Sequence, residues 1–314
     1  MPATAPVIFI VGPTASGKTL VSYELAKLLG GQVINADVGQ FYAPLVVGTA
    51  KPDWQNHVIK GHLFDICQEP VDFTVVQYRQ MVLEKINELQ AQGIIPIVVG
   101  GSLFYVQSLF FPPVSLDGDS TSSLSESRNY AGGWEQLAAI DPARAEQLHP
   151  HDTYRINRAL DIWATTGILP SQLQPTFQFN DSAVIISLQP SRDVLEQRII
   201  TRTRIMLDCD GWVAEAEKFL DTPWESFICS KGLLGYDFIF NHLRATKKDF
   251  ALLTEQIIIE TRQYAKRQMT FLQGFFKKVL ALKQQKKPLL LQQCEDYALV
   301  PYAQIARLVA YLQK

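Results

Sequence analysis

Short runs of consecutive apolar residues alternate along this chain with longer stretches spaced for helices. Val7–Val11 is a β-rich apolar run, residues 20–29 carry a helical period, and a glycine-rich turn separates the two. Strand, loop and helix are therefore expected in that order. Further apolar runs cover Gln32–Asn35, ending at Asp37; residues 94–99, ending at Gly100 and Gly101; and Ala183–Leu188, ending before a proline. Unbroken apolar runs suit strands covered on both faces, as in a parallel sheet between helices. Residues 152–166 and 255–271 are spaced as helices, so the chain is expected to end in a largely helical region, and no internal repeat is present.

Between residues 111 and 133 the pattern lapses into PPVSLDGDSTSSLSESRNYAGG, rich in Ser, Gly, Asp and Pro. This reads as an excursion from the sheet. The expected organisation is the first part of an α/β core at 1–111, a short inserted segment at 112–148, and completion of the core with the helical region at 149–314.

Composition narrows the class. With 314 residues, 47% apolar and 19% charged, the chain can bury a large core and is unlike a disordered one. Its N-terminus has no basic region, and the apolar run of about six residues is too short for a signal peptide or a membrane span. A cytoplasmic protein with no membrane partner, and a monomer, is expected. Cys67, Cys209, Cys229 and Cys294 are isolated, without the Cys-x-x-Cys spacing of a zinc site, and read as reduced thiols. Net charge is −2, but residues 1–150 hold 8 basic and 14 acidic side chains against 21 and 17 in the remainder, which makes the later half the better candidate for polyanion contacts.

The turn after the first strand, Gly12-Pro13-Thr14-Ala15-Ser16-Gly17-Lys18-Thr19, satisfies G-x-x-x-x-G-K-[ST] between a strand and a helix. Glycines let several backbone N–H groups converge on phosphate oxygens while the helix presents its positive end. Lys18 adds a point charge, and the Thr19 hydroxyl is a candidate Mg²⁺ ligand. The fold class expected is thus α/β, a P-loop NTPase-like parallel sheet flanked by helices. The cradle alone leaves two readings open: a small-molecule or nucleotide kinase, or a transferase that holds a diphosphate as leaving group.

The remaining motifs bear on that choice. Asp37-Val38-Gly39-Gln40-Phe41-Tyr42, Gly48-Thr49-Ala50-Lys51-Pro52, His62-Leu63-Phe64-Asp65-Ile66, Val99-Gly100-Gly101-Ser102, His149-Pro150-His151-Asp152 with Arg155 and Arg158, and Lys266-Arg267-Gln268 follow the cradle in order. Together they resemble D-S-x-Q-x-Y, G-T-A-K-P, H-x-x-D-I, V-G-G-T, H-P-N-D-x-x-R-x-x-R-A-L and K-R-Q of the tRNA dimethylallyltransferase family, over residues 7–272.

That resemblance implies transfer of the dimethylallyl group of dimethylallyl diphosphate to the exocyclic amine of adenosine 37 in the anticodon stem-loop of tRNA, with release of pyrophosphate. It implies a catalytic set of Asp37 as base with Lys18 and Thr19, and a diphosphate cradle of residues 12–19. Asp37, Val38, Gly39, Gln40 and Ser102 would touch the extruded nucleotide, and Tyr154, Arg155, Ile156, Asn157 and Arg158 the tRNA. A base suits the chemistry, because the lone pair of an adenine amine is delocalised and proton removal assists attack. Arg155 and Arg158, three apart, share a helix face and suit phosphates; Lys266 and Arg267 could add contacts.

Two positions depart from the pattern. Val38 stands where the family has serine, and Asp237 in Gly235-Tyr236-Asp237 stands where it has a cation, placing a reversed charge near the expected anion. The segment at 112–133 is also short for the family's insertion. Arg192, Arg198, Arg202 or a nearby lysine is expected to compensate; the alternative is a diverged tRNA- or diphosphate-binding paralogue with weak catalysis.

Overall fold

A computed structural model of the chain describes residues 5–113, 130, 132–173, 175–282 and 289–313. Most of the Ser-rich excursion, 114–129, lies outside them. The described residues form two compact units, one of residues 1–109 with 179–314 and one of residues 110–178.

The larger unit is built on six parallel strands, β1 (Val7–Val11), β2 (Gln32–Asn35), β3 (Gly61–His62), β4 (Pro96–Gly100), β5 (Ala183–Leu188) and β6 (Leu289–Cys294), in the order β3-β2-β4-β1-β5-β6. The parallel sheet expected from unbroken apolar runs is present: every residue of β1, β4 and β5 is buried. β1 lies in register with β4 on one side, Ile8 opposite Ile97, and with β5 on the other, Ile8 opposite Val184.

Helices α1 (Lys18–Leu29), α2 (Val75–Ala91) and α3 (Leu103–Phe110) follow β1, β3 and β4. In the smaller unit come α4 (Gly133–Ile140), α5 (Pro142–Ala145) and α6 (Thr153–Thr166). The chain then adds α7 (Arg192–Asp208), α8 (Trp212–Glu217), α9 (Pro223–Lys231), α10 (Tyr236–Arg244), α11 (Phe250–Leu280) and α12 (Tyr302–Leu312). Side-chain caps set several starts. Thr74 and Gln77 form a reciprocal capping box at α2, and Asp152, Ser191 and Asp249 accept the third amide of α6, α7 and α11, each interaction being worth about 1 kcal/mol.

One face of the sheet carries Ile8, Ile10, Ile97, Val99, Val184 and Ile186, packed with Val21 and Leu25 of α1 and Ile305 and Val309 of α12. Burying each such side chain contributes about 1.5–3 kcal/mol. On the opposite face Phe9 meets Phe179 edge-on, with ring centroids 5.4 Å apart. The sheet is therefore packed on both faces, and its C-terminal ends carry the loops described next. Among the described residues no helix is long and apolar enough to cross a membrane.

Candidate active site

The cradle runs from the end of β1 into α1. Gly17, at the N-cap of α1, has a φ of 90°, and a Cβ there would lie 2.6 Å from the ring of Tyr297, so both backbone and space demand glycine. Having no side chain, Gly17 leaves the first amides of α1 open to an anion. Lys18 folds back to donate from Nζ to the Pro13 carbonyl at 2.7 Å. The Thr19 side chain is exposed.

Asp37 follows β2 and is held from both sides. Asn35 accepts the Asp37 amide through Oδ1 at 2.9 Å and donates from Nδ2 to the carbonyls of Asp37 (3.2 Å) and Leu63 (3.1 Å). The Val38 amide donates to Ser102 Oγ at 3.0 Å, while Gln40 Nε2 donates to the Thr49 carbonyl at 3.1 Å. Beneath them the backbones of β2 and β4 draw together, and a Cβ on Gly100 would stand 2.0 Å from the Ala36 carbonyl oxygen.

These residues line a cavity of about 310 Å³ formed within the larger unit. Thr14, Lys18, Thr19, Asp37, Val38, Gly39, Gln40 and Ser102, dispersed in sequence, meet there. Gly12, Pro13 and Ser16 are buried in the cradle's wall; Ala15 and Gly17 line an adjoining cavity of about 800 Å³. Arg202 of α7 lines both. Of the three arginines expected to compensate for Asp237, this is the one in place. Arg198 lines the larger cavity only, bound to Asp296 Oδ2 at 2.6 Å with its guanidinium 4.6 Å above Tyr297, and Arg192 is exposed and lines neither.

The charges shift one another. Burial lowers the Lys18 pKa to about 8 against the pull of Asp37, with Arg202 lowering it further. Burial raises that of Asp37, opposed by Lys18, by Arg202 and by the amides of Gly39 and Gly101. A half-buried acid opposite two half-buried cations suits a group that must accept a proton beside an anion.

Other family motifs build the walls. Lys51 donates to the Tyr42 carbonyl at 2.8 Å and pairs with Asp65, whose other oxygen accepts Trp54 Nε1 at 2.9 Å, tying G-T-A-K-P to H-x-x-D-I. Sequence reasoning missed Glu215 of α8. This 7% exposed carboxylate accepts the amides of Val46 (2.8 Å), Val47 (2.7 Å) and Gly48 (3.0 Å) and the hydroxyl of Tyr236 (2.6 Å). Gln268 of α11, noted only within K-R-Q, is also buried at the cavity, whereas Lys266 and Arg267 lie exposed.

Asp237 does not bring its charge to the cavity. Tyr236 lines it; Asp237, the next residue, is exposed on α10 and faces the Cys229 thiol. Besides Lys18, the cavity is lined by Lys231, which pairs with Asp72.

In the smaller unit, Tyr154 is 75% exposed, and the 66% exposed Arg155 side chain lies 3.3 Å from Asp152. Arg158 is half-buried. Ile156 packs into a core with Leu137, Leu148 and Leu160, and Asn157 is buried beside it. Within the segment expected to meet tRNA, these two side chains turn inward.

Compared with known proteins, residues 40–275 match the model of the IPP transferase family. The chain belongs to that family. It is 33% identical over 277 residues to a tRNA dimethylallyltransferase of Geobacter metallireducens, spanning 84% of this chain and 88% of the relative. Among solved structures, a full-length tRNA isopentenylpyrophosphate transferase of Bacillus halodurans aligns with a TM-score of 0.60 and 25% identity, covering 98% of this chain and 97% of that one. A eukaryotic dimethylallyltransferase captured acting on tRNA aligns with a TM-score of 0.74 and 25% identity over 96% of this chain and 78% of its own. The fold is thus the family's, with β1, α1 and β2 before the segment matched by the family model and β6 and α12 after it.

Proposed function

We propose that this IPP transferase moves the dimethylallyl group of dimethylallyl diphosphate to the exocyclic amine of adenosine 37 in tRNA and releases pyrophosphate. The observation that carries the reading is the convergence of Asp37, Lys18 and Arg202 on the cavity beside the phosphate cradle. A kinase needs the same cradle, but the relatives' shared name and the ordered motifs favour prenyl transfer.

In the reaction a bond forms between the amine nitrogen and C1 of the prenyl group as the bond from C1 to the diphosphate oxygen breaks. The nitrogen's proton passes to a carboxylate oxygen of Asp37, and the electron pair leaves with pyrophosphate. Two features support this role: Asn35 holds the Asp37 backbone amide at the end of β2, and a raised pKa strengthens the carboxylate as a base once ionised. Lys18, Arg202 and the open amides of α1 stabilise charge developing on the leaving group. The adenosine must leave the anticodon-loop stack to reach such a cavity, with Tyr154 and Arg155 available to contact the RNA.

A Mg²⁺ ion fits this donor set. Thr19, an exposed hydroxyl residue, lines a cavity shared with Asp37. Mg²⁺ characteristically takes few protein ligands and completes its shell with phosphate oxygens and water. Thr19 would hold the ion, which would neutralise charge on the diphosphate. We place the protein in the cytoplasm as a monomer.

Incubating the protein with tRNA, dimethylallyl diphosphate and Mg²⁺, followed by mass spectrometry of the digested RNA, tests the reading. A five-carbon addition to adenosine 37 is expected. Unmodified RNA with both substrates bound would favour a paralogue without catalysis.

A further inference from the structure

We infer that Gln268 is a positioning residue that locks the diphosphate cradle to the strand end beside the base, an inference that rests on the prenyl-transfer reading above. It lies on α11, is 6% exposed, and touches two loops at once. Its Oε1 accepts the Thr14 amide at 2.8 Å, and its Nε2 donates to the Gly101 carbonyl at 2.9 Å.

Thr14 belongs to the cradle after β1, and Gly101 to the turn after β4. The two strands are paired only as far as Val11 opposite Gly100, so no ladder hydrogen bond sets the distance between the loops beyond. The Gln268 side chain spans that gap. A primary amide carries an acceptor and a donor on one rigid plane without charge, which is what a carbonyl on one side and an N–H on the other require. Neutrality matters at this place. A Cβ on Gly101 would lie 2.7 Å from Gln268 Nε2, 3.5 Å from Asp37 Oδ2 and 3.7 Å from Lys18 Nζ, so an ionised side chain here would act directly on the base and on the cradle lysine.

The Gly101 amide also supports the Asp37 carboxylate. One side chain therefore fixes both the loop that holds the leaving group and the turn that supports the base. Freed from it, the two halves can drift, and displacements of about 1 Å cost on the order of 10²-fold in rate.

Q268M keeps length and volume and removes both hydrogen bonds. Q268E keeps the acceptor for Thr14 and, when ionised, lacks the donor for Gly101. For each, thermal midpoint, tRNA affinity, inorganic pyrophosphate affinity and the single-turnover rate at saturating substrates are measured. The expected result for Q268M is a single-turnover rate lower by about 10–100-fold, with tRNA affinity within about twofold of wild type. Should Q268M not fold, Q268L, which also removes both hydrogen bonds and adds no charge, must show the same loss. Wild-type single-turnover rates in the folded variants, with only a lower thermal midpoint, would make Gln268 a packing residue and overturn the inference. Failure of the wild-type protein to prenylate tRNA would instead remove the functional reading, so the two failures are told apart.

Discussion

Asp37 Oδ2 and Lys18 Nζ approach the same glycine, Gly101, one from the end of β2 and the other from the start of α1. Burial disfavours the charged form of each, lowering Lys18 to about 8 and raising Asp37. Lys18 must be protonated to attract a diphosphate, so donor affinity should be full below about pH 8 and fall above it. Asp37 must be ionised to accept a proton, so the rate should climb as pH passes its raised value. kcat/KM for the donor should therefore be bell-shaped, its alkaline limb belonging to the free protein's Lys18. A profile flat well past that limb would remove Lys18 from donor binding.

Lys18→Ala should weaken pyrophosphate binding by about 10–100-fold, the worth of a charge-assisted hydrogen bond. It should cost no stability at neutral pH. The folded-state pKa lies below the ordinary value of 10.5, so the protonated lysine is a burden on the fold at every pH below that range and the burden lifts only as pH rises through it. Thr19→Ala should raise the Mg²⁺ requirement while leaving the melting curve in place, since its side chain is exposed. Calorimetric titration with pyrophosphate, with and without Mg²⁺, checks both.

Asp37→Asn preserves shape and cannot take a full proton. Substrates should bind nearly as before while single-turnover prenylation slows by about 10²–10⁴-fold. Recovery to near the wild-type rate in excess Mg²⁺ would reassign Asp37 to ordering the metal.

Glu215→Ala should destabilise the protein by about 3–5 kcal/mol. It strands three amide donors of residues 46–48 and the buried Tyr236 hydroxyl at once. Urea unfolding measures the loss, and a change below about 1 kcal/mol would mean that these groups find other partners.

How much of this was legible depends on distance along the chain. β1 is five apolar residues beside a glycine-rich loop, so its place in a covered sheet could be read directly, as could the cradle after it. β6 could not, because it is an edge strand, half-buried along most of its length and polar over its second half. Glu215 reads as one more charge in a short helix until the fold brings it to amides 167–169 residues away. The Gln268 contact with Thr14 spans 254 residues and leaves no local trace. The inward turn of Ile156 and Asn157 was open to reading, since with Ala159 and Leu160 they make the buried stripe of an amphipathic helix. Asp237 misled because its motif neighbour Tyr236 faces the cavity, and consecutive helical residues point in different directions.

The central place of β1 also governs how the protein folds. Ile8 has Ile97 on one side and Val184 on the other, so the strand that launches the cradle has no nearby partner along the chain. Both pairings require long loops to close before any contact rewards them, which makes parallel sheets of this kind slow to assemble. The cradle should thus be absent from early compact states and appear with the completed sheet. Pyrophosphate in a refolding experiment should accordingly slow unfolding and leave the refolding rate unchanged, acting as a ligand of the finished molecule and not as its template.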